Sequence, residues 1–107
     1  MIGTMPLYIS PRVRKKLIEK HDVTEDEVRQ CFLNVEGGFL RDTREQHDTN
    51  PPTYWFIAET NRRRKLKVLF VVRKLETPNG IQIRTDLKSA FPPDEVEIAI
   101  YERRGQC

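Results

Sequence analysis

Residues 53–74 constrain the fold more than any other part of the chain. Segments 53–60 and 65–74 are dense in aromatic and β-branched residues, and the polar stretch 61–64 separates them. Two such runs joined by a short polar connection form the pattern of a β-hairpin. Lys65 and Lys67 alternate with Leu66 and Val68, so the second run begins with one face toward water. From Leu69 to Val72 the run is apolar on both faces, as a central strand covered on both sides would be.

The flanking segments supply helices and further strands. Ser10-Pro11 is a side-chain cap followed by proline in the first turn of a helix. Val13, Leu17 and Ile18 recur at helical spacing, and that helix should stop near Lys20-His21-Asp22. Thr24 opens a second helix, with Glu27 completing a capping box. Val28, Cys31 and Phe32 form its apolar stripe, and Asn34 with Gly37-Gly38 ends it. Residues 39–42 read as a short strand and 43–52 as a polar loop closed by two prolines. After the Pro78-Asn79-Gly80 turn, residues 81–84 alternate as a strand. Pro92-Pro93 breaks the chain, and Asp94 caps a last helix in which Val96, Ile100 and Tyr101 are expected to face the sheet. The expected fold is therefore α+β, with two N-terminal helices, a four-stranded mainly antiparallel sheet and a C-terminal helix. Its helices are expected on one side of the sheet. A chain of 107 residues has room for a single domain with one core.

Charge narrows the classes of partner. The formal charge is only +3, but Arg12, Arg14, Lys15 and Lys16 form one basic run, and Arg62, Arg63, Arg64, Lys65 and Lys67 a denser one. Such stretches suit a polyanion, RNA or DNA, or an acidic protein; a solvated turn is the plainer alternative. Cys31 falls on an apolar helix face and Cys107 is the last residue, so neither a disulfide framework nor metal-ligand spacing is visible. No metal or cofactor is expected. No apolar run reaches the ~20 residues that span a bilayer, and the N-terminus lacks the regions of a signal peptide. The expectation is a cytoplasmic protein without membrane association.

Several local patterns recur in a recognisable order. They are Lys20-His21-Asp22-Val23 between the first helices, Asp42-Thr43-Arg44-Glu45 with His47, and Tyr54-Trp55-Phe56-Ile57-Ala58-Glu59-Thr60. Arg64-Lys65-Leu66-Lys67-Val68-Leu69-Phe70, Ile83-Arg84-Thr85, and Pro93 to Glu95 leading to Tyr101-Glu102-Arg103 follow. In this order the chain resembles the BrnT-like toxins of the RelE superfamily. The resemblance implies the toxin component of a type II toxin-antitoxin system, credited with cutting RNA and thereby inhibiting translation. Its implied partners are a cognate antitoxin protein and RNA, and a free sheet edge would also permit a homodimer. Two departures stand out. Asp22 occupies the place where typical relatives have glycine, and the loop carrying His47 is longer and proline-rich. Some relatives bear the label ADP-ribosyl-(dinitrogen reductase) hydrolase. Enzymes truly of that name are longer, all-helical and bind divalent metals through acidic clusters, which this chain does not show.

Cutting RNA without a metal needs a base for the 2′-hydroxyl, an acid for the leaving oxygen and cations for the phosphorane charge. His47 is the acid–base candidate, an imidazole in a polar loop beside Arg44 and Glu45, though an exposed loop histidine reads equally well. Glu45 can act as base, orient His47, or simply pair with Arg44. His21 follows a helix end, where a protonated imidazole suits the helix dipole. Arg84 is the first candidate cation: with Gln82 and Asp86 it faces away from Ile81 and Ile83, free to hold a phosphate or to pair with a carboxylate. Lys67 on the wet side of the neighbouring strand can join it or remain solvated. Tyr101 can donate its hydroxyl or stack on a base, or pack on the sheet. Trp55 reads as core or interface. Arg62, Arg63 and Arg64 occupy a hairpin tip facing RNA phosphates or an acidic antitoxin. The competing function class is a non-catalytic nucleic-acid- or protein-binding module of the same fold.

Overall fold

The computed structural model describes residues 7–43 and 51–104. In chain order the elements are β1 (Leu7–Tyr8), α1 (Pro11–Lys16) running on through a π-helical turn (Leu17–His21), α2 (Glu25–Asn34), β2 (Leu40–Arg41), β3 (Thr53–Glu59), β4 (Lys65–Thr77), β5 (Gly80–Phe91) and α3 (Glu95–Arg104). The architecture is α+β, but the sheet has five strands rather than four, in the order β1-β5-β4-β3-β2. The additional strand is β1, whose Leu7 and Tyr8 pair in parallel with Thr85 and Asp86. Two residues are too few to show a period of two, so nothing in the sequence announces them. All other pairings are antiparallel. Among the described residues no helix is long and apolar enough to cross a membrane.

Local chemistry places the helices as the sequence predicts at their starts. The Ser10 hydroxyl accepts from the Val13 N–H at 3.2 Å. Thr24 and Glu27 form a reciprocal capping box, with the Glu27 N–H donating to the Thr24 hydroxyl at 3.2 Å and the Thr24 N–H to Glu27 Oε1 at 3.0 Å. The first helical segment ends at Asp22, which adopts the left-handed conformation with φ 52° and ψ 47°. The β3–β4 connection is equally specific: the Arg63 N–H donates to Thr60 O and the Thr60 N–H to Arg64 O, each at 2.9 Å. Arg63 has φ 64°, the left-handed third position of a three-residue hairpin loop.

The core lies on both sides of β3 and β4. On one face, Phe32 of α2 meets Phe56 and Phe70 edge-on, at centroid distances of 4.9 and 5.5 Å. Phe39 tilts against Phe56 at 5.3 Å and meets Phe70 edge-on at 5.1 Å. Such aromatic contacts are each worth about 0.5–1.5 kcal/mol beyond the area they bury. A register shift between Leu69 and Phe70 leaves Lys88 as an extra residue in β5, so that Ala90 and Leu87, three apart, both stand beside this face opposite Val68 and Phe70.

On the other face, Tyr101 of α3 packs on Trp55 at 5.7 Å. Trp55 and Phe56 are neighbours in one strand and so point to opposite faces. The helices therefore cover both faces, which corrects the expectation of one covered side. The phase of α3 also differs: Val96 is 67% exposed and Ile100 36%, while Tyr101 is buried and Ile98 packs against the core. Asp94 and Glu97 form a capping box that fixes this phase.

Candidate functional site

Beyond Val72 and Thr85, β4 and β5 continue as a two-stranded arm to the Pro78-Asn79 turn. The register sets Arg73 opposite Arg84, and β1 sets Tyr8 opposite Asp86. Alternation keeps Asp86 on the same face as Arg84. The side chains converge accordingly. Arg84 grips Asp86 with two bonds, Nε to Oδ1 at 2.6 Å and Nη2 to Oδ2 at 3.0 Å. Arg73 Nε donates to the same Oδ2 at 2.8 Å. The Arg84 guanidinium also lies over the Tyr8 ring, 4.5 Å from its centroid.

Two guanidinium groups thus share one carboxylate, leaving a net positive charge on an open surface. Hydrogen bonding to Asp86 holds the Arg84 pKa above its already high ordinary value. Asp86 orients both forks and occupies only part of each. Arg84 Nη1 and both Nη atoms of Arg73 have no partner among the described residues, and the Arg73 side chain is 45% exposed. A phosphate or carboxylate meets oriented donors here, with an aromatic ring alongside.

Arg84 belongs to a polar row, as its alternation implied, and it takes the carboxylate-paired form with Asp86. Arg73 was not singled out from sequence, although counting back from the two-residue Pro78-Asn79 turn pairs Thr77 with Gly80 and hence Arg73 with Arg84. Tyr8 carried no such signal.

The other candidates sit elsewhere. Lys67 shares the sheet face of Arg84 but lies about 20 Å from Arg73 along the strand, at ~3.3 Å per residue. It is not on a wet face: it is 4% exposed, covered by α3. Its ammonium pairs with Glu97 and lies 4.6 Å from the Trp55 ring centroid and 5.8 Å from that of Phe91. Tyr101 is buried against Trp55 and donates its hydroxyl to Gly38 O at 2.9 Å, joining α3 to the segment after α2. Burial raises its pKa.

Arg64 turns inward from the hairpin tip. Its Nη1 donates to Asp22 O at 2.8 Å and to Glu27 Oε2 at 3.1 Å, and its Nη2 to His21 O at 3.3 Å. It caps the end of the first helical segment, while Arg62 and Arg63 remain exposed at the tip. The His21 ring tilts against Phe91 at a centroid distance of 5.4 Å. Burial, and then the charges of Lys16 and Lys20, lower its pKa. The neutral imidazole is favoured, not the protonated cap that the helix dipole suggested. Trp55 is core. Arg44, Glu45 and His47 lie outside the described residues. Among the described residues, no three His, Cys, Asp or Glu side chains group as metal ligands. No protein-family model, curated protein or solved structure was found to match the chain.

Proposed function

We propose that the chain is a BrnT-like toxin of the RelE kind that acts on RNA in the cytoplasm, and that Arg73 and Arg84 hold the phosphate backbone of its substrate. The observation that carries this reading is the pair of guanidinium groups fixed by one carboxylate, with outward donors left over. When a ribose 2′-oxygen attacks phosphorus, charge grows on the non-bridging oxygens, and oriented cations stabilise that charge more than the ground state. His47 and Glu45 are the proposed acid and base, with Arg44 beside them. Arg62 and Arg63 extend the contact to more distant phosphates or meet the antitoxin.

The test combines RNA binding, RNA cleavage and growth arrest on expression in a bacterial host. Arg73→Ala and Arg84→Ala should each weaken binding and reduce the slope of log affinity against log salt by about 1. His47→Ala should abolish cleavage and arrest while leaving binding in place. Binding indifferent to both arginine substitutions would overturn the site.

A second reading, a binding module without turnover, is favoured by one observation. Lys67 and Tyr101, two side chains otherwise suited to chemistry on this sheet face, are buried and engaged within the protein. It predicts the same salt-dependent binding with intact RNA, and growth unaffected by His47→Ala.

A further inference from the structure

Among the described residues, the outer edge of β3 is only half covered. The β2 register stops at Leu40 opposite Trp55. Outward-pointing backbone groups in β3 recur at every second residue: Thr53 O accepts from the Asp42 N–H at 2.7 Å, and Glu59 O accepts from Asn34 Nδ2 at 2.9 Å. Inward groups serve β4, as the Thr60 N–H to Arg64 O bond shows. By this alternation, the N–H and C=O of Ile57 and the N–H of Glu59 point outward, where none of the described residues forms a strand beside them.

These groups open into a cleft of ≈ 1270 Å³ between the end of α2 with residues 35–37 and α3. Ile57 and Ala58 line its floor, and Ile98 and Leu33 give it apolar walls. Among the described residues, its charged lining is Glu36, Glu59 and Glu102 against the single cation Lys65. A strand edge with unspent hydrogen bonds is a template for another strand. The excess of carboxylates selects its charge.

We propose that this edge binds an extended, lysine- or arginine-bearing segment of a partner protein, which adds to the sheet beside β3 as a further strand. Backbone pairing to Ile57 and Glu59 gives the register, and the glutamates on the rim choose a basic peptide over an acidic one. The surface is separate from the Arg73–Arg84 pair and does not depend on any reading of that site.

The probe is a blocked octapeptide of alternating lysine and valine, tested by fluorescence anisotropy against its glutamate–valine counterpart and a fully N-methylated version. The lysine peptide should bind, the other two should not. Amide hydrogen exchange at Ile57 and Glu59 should slow on binding. Reversing charge at two exposed rim positions, Glu36→Lys with Glu102→Lys, should weaken binding roughly tenfold, whereas Arg84→Ala should leave it unchanged. The proposal is overturned by no binding up to about 1 mM, by equal binding of the N-methylated or acidic peptide, or by unchanged exchange at Ile57 and Glu59. A concentration-dependent dimer that protects these amides without peptide would assign the edge to a second copy instead, and would equally overturn it.

Discussion

Glu97 holds two positions at once through its two oxygens. Oε1 accepts from the Asp94 N–H at 3.0 Å and closes the cap of α3, while Oε2 meets the buried ammonium of Lys67 on β4. The start of the helix, its rotation about its own axis and its seat on the sheet are therefore set by a single carboxylate.

The partners of this pair differ in burial, 5% exposed for the Lys67 side chain and 21% for Glu97. Losing the carboxylate strands a buried charge, whereas losing the lysine leaves a carboxylate that water reaches. Glu97→Gln should cost about 3 kcal/mol and Lys67→Met about half of that, with the double variant regaining part of the loss. Methionine keeps apolar contact with Trp55 and Phe91. Urea denaturation of the three variants checks this, and the reverse ranking would refute the asymmetry.

Asp22 holds a left-handed backbone that an L side chain adopts at a cost of roughly 1–2 kcal/mol and glycine adopts freely. Its C=O, the acceptor for Arg64, survives any substitution. Asp22→Gly should accordingly stabilise the protein by about 0.5–1 kcal/mol despite the greater freedom of glycine in the unfolded chain. Thermal unfolding measures it.

Acid should weaken the fold in two stages. Glu25 is held below its ordinary 4.5 by the Arg29 hydrogen bond first, against some burial, with Arg14 assisting. For Glu27 burial pulls upward, but bonds from the Thr24 N–H and Arg64 together outweigh it, and its pKa is also lowered. Both groups bind protons more readily when unfolded, so their contribution is complete above 4.5 and drains away as pH falls below it. His21, lowered from 6.5, follows the same sign and loses its share as pH drops below that value. Urea midpoints should decline gently below 6.5 and steeply below 4.5. Glu27→Gln should flatten the acid limb, and an unaltered limb would contradict the role of Glu27.

Cys31 is wholly buried beneath α2, its thiol within 3.6 Å of Ala58 O, and burial pushes its pKa up to about 12. The thiolate is the reactive form. In a Cys107→Ser background, thiol reagents should leave the native protein unmodified and label it stoichiometrically in denaturant. Labelling at the native-state rate of a free thiol would show that the α2–sheet contact is not closed.

What was legible in the sequence was local. The β3–β4 hairpin follows from two β-rich runs about a polar turn, the capping box at Thr24 from side chains three residues apart, and the start of α3 from the cap at Asp94. What was not legible depended on distant partners. Val96 and Ile100 have the spacing of a buried stripe, yet the Lys67–Glu97 pair turns them outward. Lys67 reads as solvated because its cover, α3, begins about 30 residues later, a distance no periodicity spans. Arg64 reads as one of three equivalent tip cations, and only the approach of the helix end at His21 and Asp22 sets it apart. Of the candidate site, Arg84 was visible through alternation; Arg73, though reachable by counting back from the turn, was not singled out, and Tyr8 carried no signal.

The parallel pairing of β1 with β5 joins segments from near the two ends of the described chain. Hairpins close over short loops and form early, whereas this contact carries the largest closure entropy and belongs late in assembly. Tyr8 reaches Arg84 only through that pairing. During synthesis on the ribosome, Arg73, Arg84 and Asp86 would therefore meet once the β4–β5 hairpin closes, and the Tyr8 ring would join them only when β1 docks. A copy of the protein in which β1 has not yet paired should hold the two guanidinium groups on Asp86 and lack the ring that covers Arg84.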